Sequence, residues 1–410
     1  MTYRVLYISY DGMTDPLGQS QVIPYLEGLA ARGYNITLIS AEKNDRLRSY
    51  GTFIGEKLVR AGIEWVPVSY TKRPPVLSTI LDIVKITRLA VRLHKLDSFQ
   101  IVHCRSYISA FAGIHLKRRF GVKFLFDMRG FWADERVDGG IWNLKNPLFR
   151  IIYRYFKHKE AVFLRKADYV VSLTHAAKAE LANWKPRVGQ LPGIEVIPCC
   201  ADLDHFSYHT VSAEMKNRFM KELSLKETDF IITYLGSLGT WYMTDEMLRF
   251  FKFLLYINPE SKFLVITHDD PEPFMQKALE LGIPQQRIRI RPAAYHEVPV
   301  LISLGQFSLF FIKPAYSKKA SSPTKLAEIL GMGVPVVCNA GVGDVDSVVK
   351  ELCPVCVACG FSDEELMRLA SHVTNHPPFD QEKLREVSKR HFSLVGGIEK
   401  YFQIYARLLQ

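Results

Sequence analysis

Short apolar runs alternate with amphipathic stretches of helical length along all 410 residues, and a chain patterned in this way has few folds open to it. Strands are predicted at 5–9, 36–40, 63–68, 101–104, 123–127, 169–173 and 195–198, and then at 230–235, 262–267, 288–291, 307–312 and 335–338. Helical stretches fall between them, one of them over 21–32. Runs this continuously apolar suit strands covered by helices on both faces, hence parallel sheets. The expected fold class is α/β, with two doubly wound parallel sheets in succession and the break near Asp202–Ser207. With 48% apolar residues the chain can bury two cores of ordinary domain size. Ligands of such sheets bind beyond the carboxyl ends of the strands, so the active site is expected in a cleft between the two domains.

Charge divides the chain at the same place. Residues 1–205 carry 30 Lys and Arg against 19 Asp and Glu, an excess of 11, while residues 206–410 carry 23 of each. The whole net charge of +11 thus lies in the first half, which favours a polyanion or an anionic membrane surface. Two segments concentrate it. One runs from Lys72 to Lys95, with Lys85, Arg88 and Arg92 among branched apolar residues; the other, 149–166, interleaves aromatic and basic residues at helical spacing. Either helix could lie in a membrane interface, or pack its apolar stripe on the sheet and leave its charges solvated. No apolar run reaches about 18 residues and no leader precedes the first strand, so the expected location is the cytoplasm, peripheral at the inner face of the plasma membrane. Cys353-Pro-Val-Cys-Val-Ala-Cys359 has metal-ligand spacing, yet no fourth ligand stands close by. Buried thiols in a short strand are expected there, with no metal and no cofactor.

Ser321-Ser-Pro-Thr-Lys-Leu-Ala-Glu328, running on to Gly333-Val-Pro-Val-Val337, joins a polar loop, a helix start and a buried strand. Pro323 fits the first helical position and Ser322 the N-cap. The free N–H groups from Ser322 through Thr324 to Lys325 and the helix dipole attract anions, the Lys325 ammonium adds a full charge one turn in, and Ser321 belongs to the same donor-binding loop. Glu328 follows at i+3 on the same face, where its carboxylate can accept hydrogen bonds from the vicinal hydroxyls of a ribose. The arrangement reads as a clamp for a nucleoside diphosphate. Gly236-Ser-Leu-Gly239, directly after a strand, adds a turn at which Gly236, Ser237 and Gly239 can bring backbone close to phosphate.

Ser322-Pro-Thr-Lys-Leu-x-Glu328 with Gly333–Val337 resembles the donor motif of retaining, GT-B-fold glycosyltransferases of family 4. The resemblance extends to Asp15-Pro-Leu-Gly-Gln-Ser-Gln21, similar to the family's N-terminal glycine loop, and to Val196-Ile-Pro-Cys-Cys-Ala-Asp202, similar to the element before the interdomain linker. Asn339–Asp344, His391-Phe-Ser and Tyr401–Leu409 carry it to the end of the chain. It implies two Rossmann-like domains, 1–205 on the acceptor side and 206–390 for the nucleotide-sugar donor, with a helix over 391–410 crossing back to the first. It also implies transfer of a hexose or N-acetylhexosamine from a nucleotide sugar to a polysaccharide or lipid-linked oligosaccharide, without metal and without nucleic acid. Retention would follow from same-face attack, the diphosphate oxygen helping to take the acceptor proton.

The resemblance places Gly18 and Gln19 in a loop that closes on the donor, and Ala294 in the turn Ala293–Pro299 that reads the nucleobase. In Phe126–Glu135 a strand ends and delivers Asp127, Arg129, Asp134 and Glu135 into one loop. Arg129 stands where family members often carry a histidine, and suits a phosphate. Asp127 and Glu135 are the candidates for activating the acceptor, with a buried loop cap as the other reading of Asp127. Trp132, Trp142 and Gly139-Gly140 suit either an acceptor loop or plain packing, and His103 reads as a core histidine. Two positions depart from the family. Ala320 stands where the first of its paired glutamates belongs, and Ser237 and Tyr242–Met243 lack its arginine and lysine. Lys325 is expected to supply the missing charge. Those departures also suit a non-catalytic scaffold of a glycan assembly complex, and the fold suits a sugar-nucleotide epimerase.

Overall fold

The computed structural model describes residues 3–74, 76–184 and 188–410. The chain divides into two compact units, Met1–Pro198 with Leu394–Gln410, and Cys199–Ser393.

In the first unit the strands are β1 (Tyr3–Ser9), β2 (Tyr34–Glu42), β3 (Ile63–Ser69), β4 (Ile101–Arg105), β5 (Lys123–Asp127), β6 (Tyr169–Ser172) and β7 (Gly193–Val196). They form one parallel sheet in the order β3-β2-β1-β4-β5-β6-β7, so strand order reverses between β1 and β4. Val5, Leu6, Ile8, Val102, Phe124 and Phe126 are buried completely, as central parallel strands require. The terminal helix, Leu394–Leu409, belongs to this unit. Gly28 lies against Ile398 of that helix, with no room for a side chain. Tyr401 and Tyr405 point into the sheet and are buried.

In the second unit β8 (Ile231–Leu235), β9 (Lys262–Ile266), β10 (Ile288–Arg291), β11 (Phe307–Leu309), β12 (Val336–Asn339) and β13 (Val357–Ala358) form a parallel sheet. Its order is β10-β9-β8-β11-β12-β13, with the reversal between β8 and β11. One core of aliphatic and phenylalanine side chains fills both faces. Both units are therefore Rossmann-like. All twelve predicted strands are present, and β13 is additional. β11 ends at Leu309 rather than at 312; beyond it Phe310 N–H still reaches the Val337 carbonyl at 3.0 Å, and the Asn339 side chain then accepts from Ile312 N–H at 2.8 Å and donates to the Ile312 carbonyl at 2.9 Å.

Candidate functional site

In the second unit the carboxyl end of β8 runs into Gly236, whose φ of +127° only glycine adopts easily. A Cβ built there would lie 2.6 Å from the Lys325 Nζ. Glycine thus lets the lysine pass under the turn. The loop after it is pinned: Leu238 N–H donates to Asp269 at 2.7 Å, the Tyr234 hydroxyl donates to the Ser237 carbonyl, and Met243 N–H donates to Phe311 at 3.0 Å. Gly239 accepts from Trp241 N–H at 2.7 Å.

Lys325 comes from the helix Thr324–Gly331 and is buried. Its ammonium lies 3.7 Å from the ring centre of Tyr242 and 4.6 Å from that of Tyr234, with Phe310 at 5.8 Å, and it has no hydrogen-bond partner. Aromatic faces attract a cation but do not replace the hydrogen bonds it had in water. Burial accordingly pulls the Lys325 ammonium down to about 7, against the attraction of Glu328. Burial likewise pushes the Glu328 carboxyl up to about 7, against the pull of Lys325. The charge of Glu328 is felt by Tyr242 and by Tyr295. Tyr295 follows Ala294 in the turn at the end of β10, where Glu297 accepts from Ala294 N–H at 2.9 Å. The base-reading turn and the ribose carboxylate expected from the sequence are therefore electrostatic neighbours. A second lysine, Lys318, places its ammonium 3.6 Å from the Trp241 ring centre. The loop that lacks the family's arginine and lysine thus carries aromatic rings, and the cations reach those rings from the 318–325 segment. The run Thr240-Trp-Tyr242 was the sequence signal for this exchange.

The cap of that helix differs from expectation. Pro323 is the N-cap and Thr324 the first helical residue, because Ser322 is occupied elsewhere: its hydroxyl accepts from Cys199 N–H at 3.1 Å. Ser321 N–H is bound to the Lys318 carbonyl at 3.1 Å. Ala320 is buried.

In the first unit Asp127 ends β5 and is completely buried. The Tyr401 hydroxyl donates to its Oδ2 at 3.0 Å. His103 Nε2 lies 3.6 Å away, and one guanidinium nitrogen each of Arg105 and Arg129 lies at 3.9 Å. Burial raises the Asp127 carboxyl, but Arg129, His103 and Arg105 beside it outweigh that, and the net shift is downward. His103 also bonds Tyr405 through Nδ1 at 2.8 Å, and burial lowers its proton affinity. Arg105 is held by Asp11 at 3.1 Å. Asp127 thus ties β4, β5 and the terminal helix together. Arg129 has φ +55° and a largely buried side chain. Glu135 lies in the first turn of the helix Trp132–Asp138, half-buried. Trp132 and Trp142 pack edge to face at 5.4 Å, and Arg136 stacks on Trp132 at 4.2 Å.

Gly18 and Gln19 are helical, within Pro16–Gln21, rather than in an open loop. A Cβ on Gly18 would lie 2.2 Å from the Gly12 carbonyl oxygen, so close packing demands the glycine. Gln19 donates to the Thr14 carbonyl at 3.2 Å. The donors of the preceding loop are already used: Glu42 accepts from Met13 N–H at 2.6 Å, and from Thr14 through N–H at 3.2 Å and hydroxyl at 2.6 Å. Glu42, which sequence reading passed over, fills the place an anion would take in that loop.

Residues 20–205 match the family model for Glycosyltransferase Family 4. The fold of the whole chain is that of solved GT-B proteins. It is similar to sucrose-phosphate synthase from Thermosynechococcus elongatus, with TM-score 0.76 and 15% identity over 99% of each chain. It is similar to WaaG, a glycosyltransferase involved in lipopolysaccharide biosynthesis, with TM-score 0.67 and 15% identity over 98% of this chain and 99% of that one. UDP-GlcNAc 2-epimerase from Neisseria meningitidis, bound to UDP-GlcNAc, shares it with TM-score 0.59 and 12% identity over 99% of this chain and all of the other. No curated protein sequence matches.

Proposed function

With a Glycosyltransferase Family 4 match over residues 20–205 and a GT-B fold as premise, we propose that the chain is a retaining glycosyltransferase. On this reading it moves a hexose or N-acetylhexosamine from a nucleoside diphosphate sugar to a polysaccharide or lipid-linked oligosaccharide. The observation that carries the reading is the buried Lys325 ammonium, which lacks a hydrogen-bond partner beneath the Gly236 turn. A diphosphate at Gly236–Gly239 would supply the missing acceptors, and Lys325 with Lys318 would take the place of a metal in neutralising the leaving group. Glu328 would accept from the ribose hydroxyls, with the base at Ala294–Tyr295. Arg129 would hold a phosphate of donor or acceptor, Glu135 would orient the acceptor hydroxyl, and Gly18 and Gln19 would shape the edge of the donor site. Retention needs no protein nucleophile, since the departing diphosphate takes the acceptor proton on the same face.

The basic first unit is read as facing an anionic membrane from the cytoplasmic side. Leu77, Ile80, Leu81 and Val84 are exposed on the helix Leu77–Asp97, and Leu148, Ile151 and Tyr155 on the helix Pro147–Lys166. Exposed apolar side chains flanked by lysine and arginine suit a lipid interface and argue against a purely packing role for those stripes. Among the described residues no helix is long and apolar enough to cross a membrane.

The test is thermal shift and calorimetry with UDP, GDP, ADP, CMP and dTDP, with and without Mg²⁺, on wild type, Lys325→Met and Glu328→Ala. One nucleotide that binds wild type without metal and fails with both variants is expected; binding undiminished by Lys325→Met would reject the site. Acceptor-dependent release of the nucleoside diphosphate then separates a transferase from an epimerase, which changes the donor alone. It also separates it from a scaffold, which the buried alanine at position 320 would suit and which turns over neither.

A further inference from the structure

Cys353 and Cys356 flank the turn that leads into β13, the edge strand of the second sheet, and His372 lies on the helix Asp363–Asn375. The two sulfurs and a His372 ring nitrogen lie within 4.8 Å of one another. His372 Nε2 is 3.4 Å from the Cys353 sulfur, and the two cysteines, Cα atoms 5.4 Å apart, are paired as a disulfide. Both are buried, whereas Cys359, the third cysteine of the run, is exposed. His376 follows His372 by one helical turn, their ring centres 4.9 Å apart. Its Nδ1 meets the Pro377 carbonyl at 2.5 Å and its ring stacks on Phe379 at 4.1 Å, so His376 stands beside the three-atom cluster rather than within it. Read from Cys353, the spacing is C-x2-C-x15-H-x3-H, one in which two thiolates and two imidazoles close on a single tetrahedral ion. The sequence lacks a nearby further ligand because His372 stands on the next helix, beyond β13.

We infer that Cys353, Cys356 and His372 are three ligands of a structural zinc site that fastens the edge of the second sheet to its neighbouring helix, with His376, four residues on, as the candidate for the fourth position. A disulfide alone accounts for less of the arrangement. It closes a loop of only four residues, which constrains the unfolded chain little, and it gives the imidazole at the Cys353 sulfur no role. Burial of both sulfurs also keeps exchange partners away, so a redox-exchange centre is a poorer fit. Sulfur and imidazole together are a borderline-soft set that suits zinc over magnesium or calcium. The ion binds the dithiol form. Two thiol protons leave as the thiolates coordinate, and the disulfide returns to that form when a thiol reductant gives it two electrons and two protons and is itself oxidised to a disulfide. In the sheet, β11 and β12 separate this cluster from β8, so the zinc takes no part in sugar transfer.

The experiment is metal analysis of the full chain purified with a thiol reductant and without chelator, wild type beside Cys356→Ser, His372→Ala and Cys359→Ser. One zinc per chain is expected in wild type and Cys359→Ser, with the metal lost in the other two. Cobalt(II) added to reduced, zinc-stripped wild type should give a thiolate-to-cobalt charge-transfer band, a readout that holds even if the variants fold poorly. Reduced wild type that retains no stoichiometric zinc after reconstitution, or a cobalt spectrum without the thiolate band, overturns the site. So does equal metal loss from Cys359→Ser.

Discussion

Each unit buries a charge-bearing side chain at the carboxyl end of its central strands, and the two are treated in opposite ways. Asp127 is met by the Tyr401 hydroxyl and stands within 4 Å of His103, Arg105 and Arg129. Lys325 is met by aromatic rings alone and has no hydrogen bond. The first carboxyl is shifted toward its charged form and the second amine away from it. Asp127 Oδ1 also lacks a hydrogen bond, but it faces the Arg129 guanidinium at 3.9 Å, whereas no carboxylate or carbonyl bonds the Lys325 ammonium. A buried charge set among opposite charges serves the fold, while one held ready without them serves something that arrives. The comparison separates two residues that stood side by side among the catalytic candidates.

The largest effect expected is at Asp127. Asp127→Ala leaves Arg105, Arg129 and His103 facing one another without their common anion, which costs about 3–5 kcal/mol. Urea unfolding of the first unit checks it, and a loss below about 1 kcal/mol would break the comparison. Lys325→Met should do the reverse: stability holds or rises because an unpartnered amine is removed, while affinity for the nucleoside diphosphate falls about 10–100-fold, as for loss of a charge-assisted bond. Calorimetry and thermal melts on one sample read both quantities.

The pH dependence sharpens the contrast further. Lys325 titrates near 7 in the folded chain against an ordinary value of 10.5, so the unfolded state holds more protons between those limits and stability from this group rises with pH there. Glu328 titrates near 7 against an ordinary 4.5, so the folded state holds more protons in that window and stability is lost as pH rises through it. Together they predict a stability minimum near pH 7 without ligand. A bound diphosphate favours the charged amine and raises its proton affinity. Diphosphate affinity should therefore fall as pH is raised from 7 to about 9, by at most tenfold per unit, a range in which the ligand itself is fully ionised. Lys325→Met should flatten that slope, and an unchanged slope in the variant would remove Lys325 from the diphosphate site.

How far the sequence reached follows the same division. The strands were legible because parallel strands are apolar on both faces, and Lys325 with Glu328 was legible because i and i+3 share a helix face. The surroundings of those residues were not. That Tyr234, Tyr242 and Phe310 would ring Lys325 depends on the ends of β8 and β11 and on the loop after β8, and that Tyr401 would meet Asp127 depends on a contact across 274 positions of chain. Ser322 was misplaced as a cap because its competing partner, Cys199 N–H, is 123 residues away. Glu42 was passed over because its ligands are backbone groups of a distant loop.

The smaller of the two stability effects tests the long-range contact itself. Tyr401→Phe removes only the hydroxyl that donates to Asp127 at 3.0 Å and leaves the ring stacked edge-on against Tyr25 at 5.6 Å. The carboxylate keeps its cationic neighbours, so the loss should be that of one hydrogen bond to a charged group, about 1.5–3 kcal/mol, and below that of Asp127→Ala. Because the hydroxyl and the carboxylate act on each other, the two substitutions combined should cost less than the sum of the two alone. Strict additivity would mean that Asp127 holds the first unit through its arginines and not through the terminal helix, and the cluster would then be an ion network on β4 and β5 that the helix merely covers.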